Sequence, residues 1–260
     1  MKTLRLPPSI GITDFQNAEQ VREVLALRPP GHPYAIQVGV MMSYKTLNGV
    51  PTREGFERVW PKPSEIASIF IDDPASLNML HWADYQGLTR VGDLVRAIGC
   101  CGPNIKALQL DMTWPAPELC WAIENEFRLP IVLQIGTRAF DQIGNDPVRL
   151  LGRLDEYEGD IAGVLLDKSM GRRAEMDPGF LRPLVEAVRR ECFGLRVTVA
   201  GGLGPDTLGL AQSLFDEFPG LSTDAQGQLR SSGSYLDPIE MPRVTEYVRK
   251  AFKLFQPALS

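Results

Sequence analysis

The chain has 260 residues, of which 44% are hydrophobic and 23% charged, and its formal net charge is −5. This composition is typical of a globular protein, and the acidic balance disfavours a nucleic acid or a membrane as the main partner. No apolar run approaches the length of a membrane span, and the N-terminal residues lack the sustained apolar core of a signal peptide. We therefore expect a cytoplasmic protein.

Cysteine and histidine usage disfavours a metal site or a disulfide framework. The four cysteines are Cys100, Cys101, Cys120 and Cys192, and no pair has the spacing of zinc ligands. We expect free, mostly buried thiols. The chain has two histidines, and it contains neither a P-loop nor a dinucleotide-binding fingerprint. The sequence thus predicts no metal and no cofactor.

The first half of the chain alternates predicted strands with helices. Strands are expected over 4–12, 34–42 and 68–72. Thr13-Asp14 is expected to cap the first helix, and helical spacing recurs over 74–98, where His81 is expected to be a packed or capping residue. A long polar loop, about 43–63, follows strand two and is typical of a functional lid or a disordered segment.

The second half repeats this alternation five times. Strands are expected over 105–111, 130–135, 161–167, 197–200 and 220–225. Helices are expected over 115–127, 146–157, 177–191, 206–218 and 240–255. The pairs Asp146-Pro147 and Asp177-Pro178 have the residue types that open a helix.

Eight strands, each followed by a helix, predict an α/β fold, a single (β/α)8 TIM barrel over residues 1–260. A doubly wound open sheet is the alternative fold. Because barrel enzymes carry their sites at the carboxyl ends of the strands, Asp111 and Asp167 are the acid/base candidates. The alternative for each is a helix cap or an ion pair with a loop arginine. Lys45 and Arg58 after strand two, with Gln109 on the face of Asp111, are the predicted substrate-binding residues.

A glycine-rich turn after strand seven predicts a phosphate site. Gly201, Gly202 and Gly204 free the backbone to close on an anion, and a helix is expected to begin at Pro205 or Asp206. The turn after strand eight, with Gln226 and Gly227, is the second part of the predicted phosphate site. The basic loop 168–173 after Asp167 also suits an anion.

Several segments resemble the phosphoribosylanthranilate isomerase family. They are Ser9-Ile-Gly-Ile-Thr-Asp14, Arg58-Val-Trp-Pro-Lys-Pro-Ser-Glu65, Leu108-Gln-Leu-Asp111, Leu165-Leu-Asp167 and Ala200-Gly-Gly-Leu-Gly-Pro205. The resemblance implies a (β/α)8 barrel, an Amadori rearrangement of a phosphorylated aminoaldose in a route like tryptophan biosynthesis, and Asp167 as general acid. The family's general base is a cysteine, and Ile10 stands at that position. The family's glycine turn after strand six and its Ser-Ser-Gly turn after strand eight are also replaced.

Three functional hypotheses follow from the sequence. The first is an isomerase or lyase on a small phosphorylated metabolite, with Asp167 as acid and Asp111 as base. The second is a non-catalytic paralogue that binds a metabolite or regulates. The third is a barrel scaffold in which the loop 43–63 and the segment around His81-Trp82 bind a partner. Homodimerisation stays open.

Overall fold

The computed structural model describes residues 4–168 and 176–255. Eight parallel strands close into a barrel, because each strand pairs with the next and the eighth pairs with the first. The strands are β1 (Ser9–Thr13), β2 (Ala35–Ser43), β3 (Ser76–Asp84), β4 (Ala107–Met112), β5 (Ile131–Gly136), β6 (Gly163–Asp167), β7 (Arg196–Ala200) and β8 (Ser222–Ala225). This order confirms the (β/α)8 barrel and excludes the open sheet, which would have two edges.

Helices connect successive strands. They are α1 (Ala18–Leu25), α2 (Tyr44–Leu47), α3 (Ile66–Ile69), α4 (Val91–Cys100), α5 (Pro117–Phe127), α6 (Thr137–Ile143), α7 (Pro147–Leu154), α8 (Pro178–Glu191), α9 (Gln212–Glu217) and α10 (Met241–Leu254). The side chains of Asp146 and Asp177 accept backbone N–H groups at the starts of α7 and α8, as predicted. Within the described ranges, no helix has the length and apolar character needed to cross a bilayer.

The prediction for strand three is wrong. Residues Ile66–Ile69 form α3, and β3 occupies Ser76–Asp84, where helical spacing is expected. The apolar positions of β3 change face midway, with Leu77 and Met79 in the lumen and Leu80 and Trp82 in the outer core, so no single alternation runs along the strand. Asp72 and Asp73 therefore precede a strand and lie at the amino end of the barrel. His81 and Trp82 are buried within β3, so they cannot form the partner-binding segment of the third hypothesis.

Two predicted helix starts are also wrong. Asn17 caps α1, with its side chain accepting the N–H of Gln20 at 3.0 Å, because Thr13 still belongs to β1. After the glycine turn, the N–H groups of Thr207 and Leu208 bond to the carbonyl of Gly204, and a 3₁₀ turn delays α9.

As a result, no helix begins at Pro205 or Asp206, and Asp206 instead forms an ion pair with Arg243 at 2.6 Å. The long loop is not structureless either. Within 43–63 it contains α2 and a 3₁₀ turn over Phe56–Arg58.

Candidate functional site

The barrel lumen has an apolar layer with a polar layer above it. The apolar layer consists of Leu6, Ala35, Leu77, Met79, Ala107, Val132, Ala162, Leu165 and Ala200. Towards the carboxyl ends of the strands, buried polar side chains replace them, including Gln109, Gln134, His81, Asp111 and Asp224. Inward positions alternate with outward ones, as predicted for β4, where Leu108 and Leu110 pack outward.

A cavity of about 50 Å³ lies in this polar layer. Its lining comes from β3 and from β5 to β8 with their following turns: His81, Gln134, Leu165, Asp167, Ala200, Gly201, Gly202, Leu203, Asp224, Gln226, Gly227, Gln228 and Gly233. Pockets for whole metabolites are usually roughly 300 Å³ or more, so binding one here requires the surrounding turns to move apart.

His81 and Asp111 form a buried pair beside the cavity. The Nε2 atom of His81 lies 3.6 Å from Oδ2 of Asp111, and the hydroxyl of Tyr85 donates to that same oxygen. Burial lowers the pKa of His81, but the hydrogen bond and charge of Asp111 outweigh it and raise the pKa overall. Burial, together with the Asp111 charge, raises the pKa of Tyr85, so its hydroxyl remains a donor. The pair therefore holds a proton between two neighbouring strands.

Gln109 orients the other side of the histidine ring. Its Nε2 atom lies 3.3 Å from Nδ1 of His81 and donates to Oε1 of Gln134 at 2.8 Å. An amide N–H can donate to Nδ1 only when that nitrogen carries no proton. The same amide nitrogen lies 3.5 Å from Nε2 of His81, so it stands beside both ring nitrogens. Gln109 is thus a ring-orienting residue beneath the cavity.

Asp224 is a carboxyl group with an unusual proton affinity. Burial raises its pKa to about 7, and the charges of Asp167 and Asp14 add to that effect against the charge of His81. The hydroxyl of Thr13 donates to Oδ1 at 3.1 Å and to Oδ2 at 3.2 Å. Near neutral pH, Asp224 therefore exchanges its proton easily, which suits a general acid.

The structure brings some of the predicted catalytic residues together. Asp167 lies at the end of β6 and lines the cavity with Asp224. Asp111 lies in a smaller recess beside the main cavity, and Gln134 lines both spaces. Of the predicted basic loop, 169–173 lies outside the described residues, and the Nζ atom of Lys168 lies 3.7 Å from the ring centroid of Phe180.

The glycine turn lies where predicted, at the cavity edge. Gly201 and Gly202 have φ angles of 101° and 66°, which favour glycine because a Cβ is strained there. In the described part of the chain, the N–H groups of Gly202 and Gly227 donate to no other residue. Gly204 instead packs against Gln228 and does not line the cavity. Two turns thus bring backbone N–H groups that lack an acceptor within the described ranges to the edge of one cavity.

The predicted substrate-binding cations do not line this cavity. Lys45 lies in α2, and the Arg58 side chain is 60% exposed, with Nη2 3.9 Å from Oδ1 of Asp237. Among the described lining residues there is no lysine or arginine. No group of three or more metal-ligating side chains occurs in the ranges that the structure covers.

Sequence reasoning missed His81, Tyr85 and the acid role of Asp224. His81 was hidden by the wrong assignment of β3, since an inward position has meaning only once the strand is known. Asp224 lies near the carboxyl end of the strand expected over 220–225, so its position was a usable signal. Ile10 is the converse case. Its side chain packs in the outer core, and its neighbour Gly11 faces the lumen beside Asp224. A basic side chain at position 10 would therefore point away from the cavity.

No protein-family model matches the sequence, and no curated protein matches it. Among solved structures, a phosphoribosyl anthranilate isomerase from Thermococcus kodakaraensis superposes with a TM-score of 0.61 at 17% identity, covering 97% of this chain and 100% of that one. The aldolase QR15 gives 0.54 at 10% identity, covering 95% and 94%. A GH128 endo-beta-1,3-glucanase from Amycolatopsis mediterranei gives 0.51 at 9%, covering 94% and 100%. At these identities the likeness shows the barrel fold alone.

Proposed function

We propose that this barrel is an acid–base enzyme, an isomerase or a lyase, that acts on a small phosphorylated metabolite. The observation that carries the proposal is the position of Asp224, Asp167 and His81 around one cavity, with two glycine-containing turns at its edge. Carboxyl and imidazole groups with separated proton affinities are what proton transfer to and from carbon requires. The isomerase and aldolase among the fold neighbours perform chemistry of this broad class.

Asp224 and Asp167 form the acidic side of the proposed site. Two carboxyl groups in one cavity separate their proton affinities, because ionisation of one opposes ionisation of the other. Burial, aided by the charge of Asp167, raises the pKa of Asp224 to about 7, so Asp224 is the protonated member below neutral pH. The family resemblance gives the acid role to Asp167. We assign proton donation to the Asp167–Asp224 pair, with Asp224 as the protonated member.

The His81–Asp111 pair is the proposed base. His81 reaches the cavity, whereas Asp111 lies behind it, with Oδ2 at 3.6 Å from Nε2 of His81 and accepting a hydrogen bond from the Tyr85 hydroxyl. A proton removed from substrate carbon would pass to this pair and leave the electron pair in an enolate, whose oxygen would take a proton from the Asp167–Asp224 pair to give the enol. This assignment keeps Asp111 in the role expected from its strand end, but it acts through the histidine.

Backbone amides are the proposed ligands of the phosphate. Gly202 and Gly227 lie in two different turns, and their N–H groups, which have no acceptor among the described residues, can donate to the same anion. The nearby carboxylates oppose an anion, and protonation of Asp224 removes one of these charges. Substrate binding and the presence of the acid proton are therefore coupled in this site.

Solvent exchange tests this function across a panel of phosphorylated aldoses, ketoses and aminosugars. Wild-type protein in D₂O is expected to incorporate deuterium at the carbon beside the carbonyl group in one or more of these compounds. Asp111→Asn should lower the rate by roughly a hundred- to ten-thousandfold, the usual worth of a general base. Glu217→Gln, at an exposed ion pair, is the control. A panel without exchange by the wild type would favour the non-catalytic, metabolite-binding alternative.

A further inference from the structure

A buried ion pair joins the turns after the first and last strands. Asp14 follows β1 and Arg230 follows β8, and each side chain is 0% exposed. The Nη2 atom of Arg230 donates to Oδ2 of Asp14. These residues are 216 positions apart in the chain, so the pair connects the two strands that close the barrel.

The same two side chains hold Gln226 at the edge of the cavity. The Nη1 atom of Arg230 donates to the carbonyl oxygen of Gln226 at 2.6 Å, and its Nε atom donates to the carbonyl of Asp237. The Nε2 atom of Gln226 donates to Oδ2 of Asp14 at 3.1 Å. Gln226 is therefore fixed through its backbone and through its side chain.

The bond from Arg230 to the Gln226 carbonyl determines the direction of the Gly227 N–H group. The carbonyl of Gln226 and the N–H of Gly227 belong to one planar trans peptide, in which the two groups point in opposite directions. Since Arg230 binds the carbonyl, the N–H of Gly227 points away from the guanidinium. Gly227 lines the cavity, and its N–H has no acceptor in the described part of the chain.

Asp14 binds its side-chain partners through one carboxylate oxygen only, as expected of a residue that fixes the position of its neighbours. Both hydrogen bonds go to Oδ2, and the buried Oδ1 atom has no partner among the described residues. Asp14 also adopts a φ of 87°, which non-glycine residues rarely take unless their surroundings impose it. Buried ion pairs stabilise a fold little compared with apolar side chains, but a guanidinium fork fixes geometry.

We propose that Asp14 and Arg230 are positioning residues that direct the Gly227 N–H towards an anion in the cavity. The inference rests on the proposed function, in which that anion is the phosphate group of the substrate. Arg230 is not itself a ligand, because its side chain is fully buried and does not line the cavity.

Two readouts test the proposal separately. Inorganic phosphate and sulfate binding is measured by calorimetry, and amide hydrogen exchange is measured over 226–229 and over β3 and β4. The variants are Arg230→Met, Arg230→Lys and Asp14→Asn, with Arg182→Met at an exposed ion pair as the control. Arg230→Met should weaken anion binding by about ten- to a hundredfold and speed exchange at 226–229 but not in β3 or β4. Arg230→Lys should keep only part of the wild-type anion affinity and only part of the slow exchange at 226–229, because lysine lacks the guanidinium fork.

The outcomes separate this proposal from the function on which it rests. If wild-type protein binds neither anion, the proposed phosphate site fails, and exchange at 226–229 still decides whether the pair orients this turn. Unchanged exchange there in a folded Arg230→Met protein would overturn the positioning role. Global unfolding of Arg230→Lys and Asp14→Asn would also overturn it, because the pair would then serve stability.

Discussion

Gly11 and Asp224 face each other across the seam that closes the barrel. A Cβ on Gly11 would lie 2.6 Å from Oδ1 of Asp224 and 2.6 Å from the carbonyl oxygen of Thr223. No real Cβ contact is that short, so the absence of a side chain at position 11 is what allows the carboxyl group to lie there. The proton-holding group of the site thus depends on a glycine of the neighbouring strand.

Replacement of Gly11 by alanine is therefore expected to damage both stability and the site. The methyl group meets backbone on one side and the carboxyl group on the other, so Gly11→Ala should lower the free energy of unfolding by about 1–3 kcal/mol. Chemical denaturation measures this change. Gly152→Ala is the matched control, because Gly152 lies within α7 and an added Cβ meets nothing within 4 Å. That variant should gain about 0.5–1 kcal/mol, and equal losses in the two variants would contradict the account.

The pKa of Asp224 predicts how stability depends on pH. Burial raises this pKa from its ordinary value of 3.8 to about 7, so the folded state binds more protons than the unfolded chain between those values. The contribution of this group is therefore greatest at low pH and is lost as the pH rises through about 7. Asp224→Asn should gain stability relative to wild type as the pH rises from 4 to 7. Thermal unfolding of both proteins across that range gives the difference, and a pH-independent difference would contradict the assignment.

The same proton should control anion affinity. Ionisation of Asp224 adds a negative charge to a cavity that already contains Asp167, so sulfate should bind more weakly as the pH rises through about 7. Sulfate is the suitable probe because its own charge is constant over this range. Calorimetric titrations of wild type and Asp224→Asn provide the measurement, and the variant should lose most of the pH dependence. A wild-type sulfate affinity that is independent of pH would refute the coupling.

The histidine in β3 should respond to its aspartate partner. Asp111 supplies the hydrogen bond and the nearest charge that raise the pKa of His81, so Asp111→Asn should lower that pKa. The chain has two histidines, and nitrogen-15 NMR titration resolves them once His32→Gln identifies its own signal. Tyr85→Phe leaves the charge of Asp111 in place and should shift the pKa much less. Equal shifts in both variants would argue against a charge effect of Asp111.

The barrel itself was predictable because its signals are local. Alternation along β4, with Leu108 outward and Gln109 inward, and the helix caps at Asp146 and Asp177 depend on a few adjacent residues. β3 was not predictable in this way, because its apolar positions move from the lumen face at Leu77 and Met79 to the outer face at Leu80 and Trp82. Because residues 74–98 were assigned to a helix, His81 was not recognised as an inward-facing residue of a strand.

The remaining features of the site depend on closure of the barrel. The ion pair of Asp14 and Arg230 and the approach of Gly11 to Asp224 join residues more than two hundred positions apart. No periodicity in a single segment indicates such a pair. The predicted glycine turn follows β7 and lines the cavity through Gly201 and Gly202, but the helix expected behind it was wrong, because backbone bonds to Gly204 create an intervening turn.

A crystal structure of Asp111→Asn with an aldopentose 5-phosphate, grown below pH 7, tests the central claim most directly. The variant is expected to slow turnover, and a pH below about 7 favours protonated Asp224. The account predicts a phosphate group within hydrogen-bond distance of the Gly202 and Gly227 N–H groups, with the sugar carbons between Asp224 and His81. A sugar phosphate bound elsewhere, or a cavity that stays closed at saturating ligand, would contradict it.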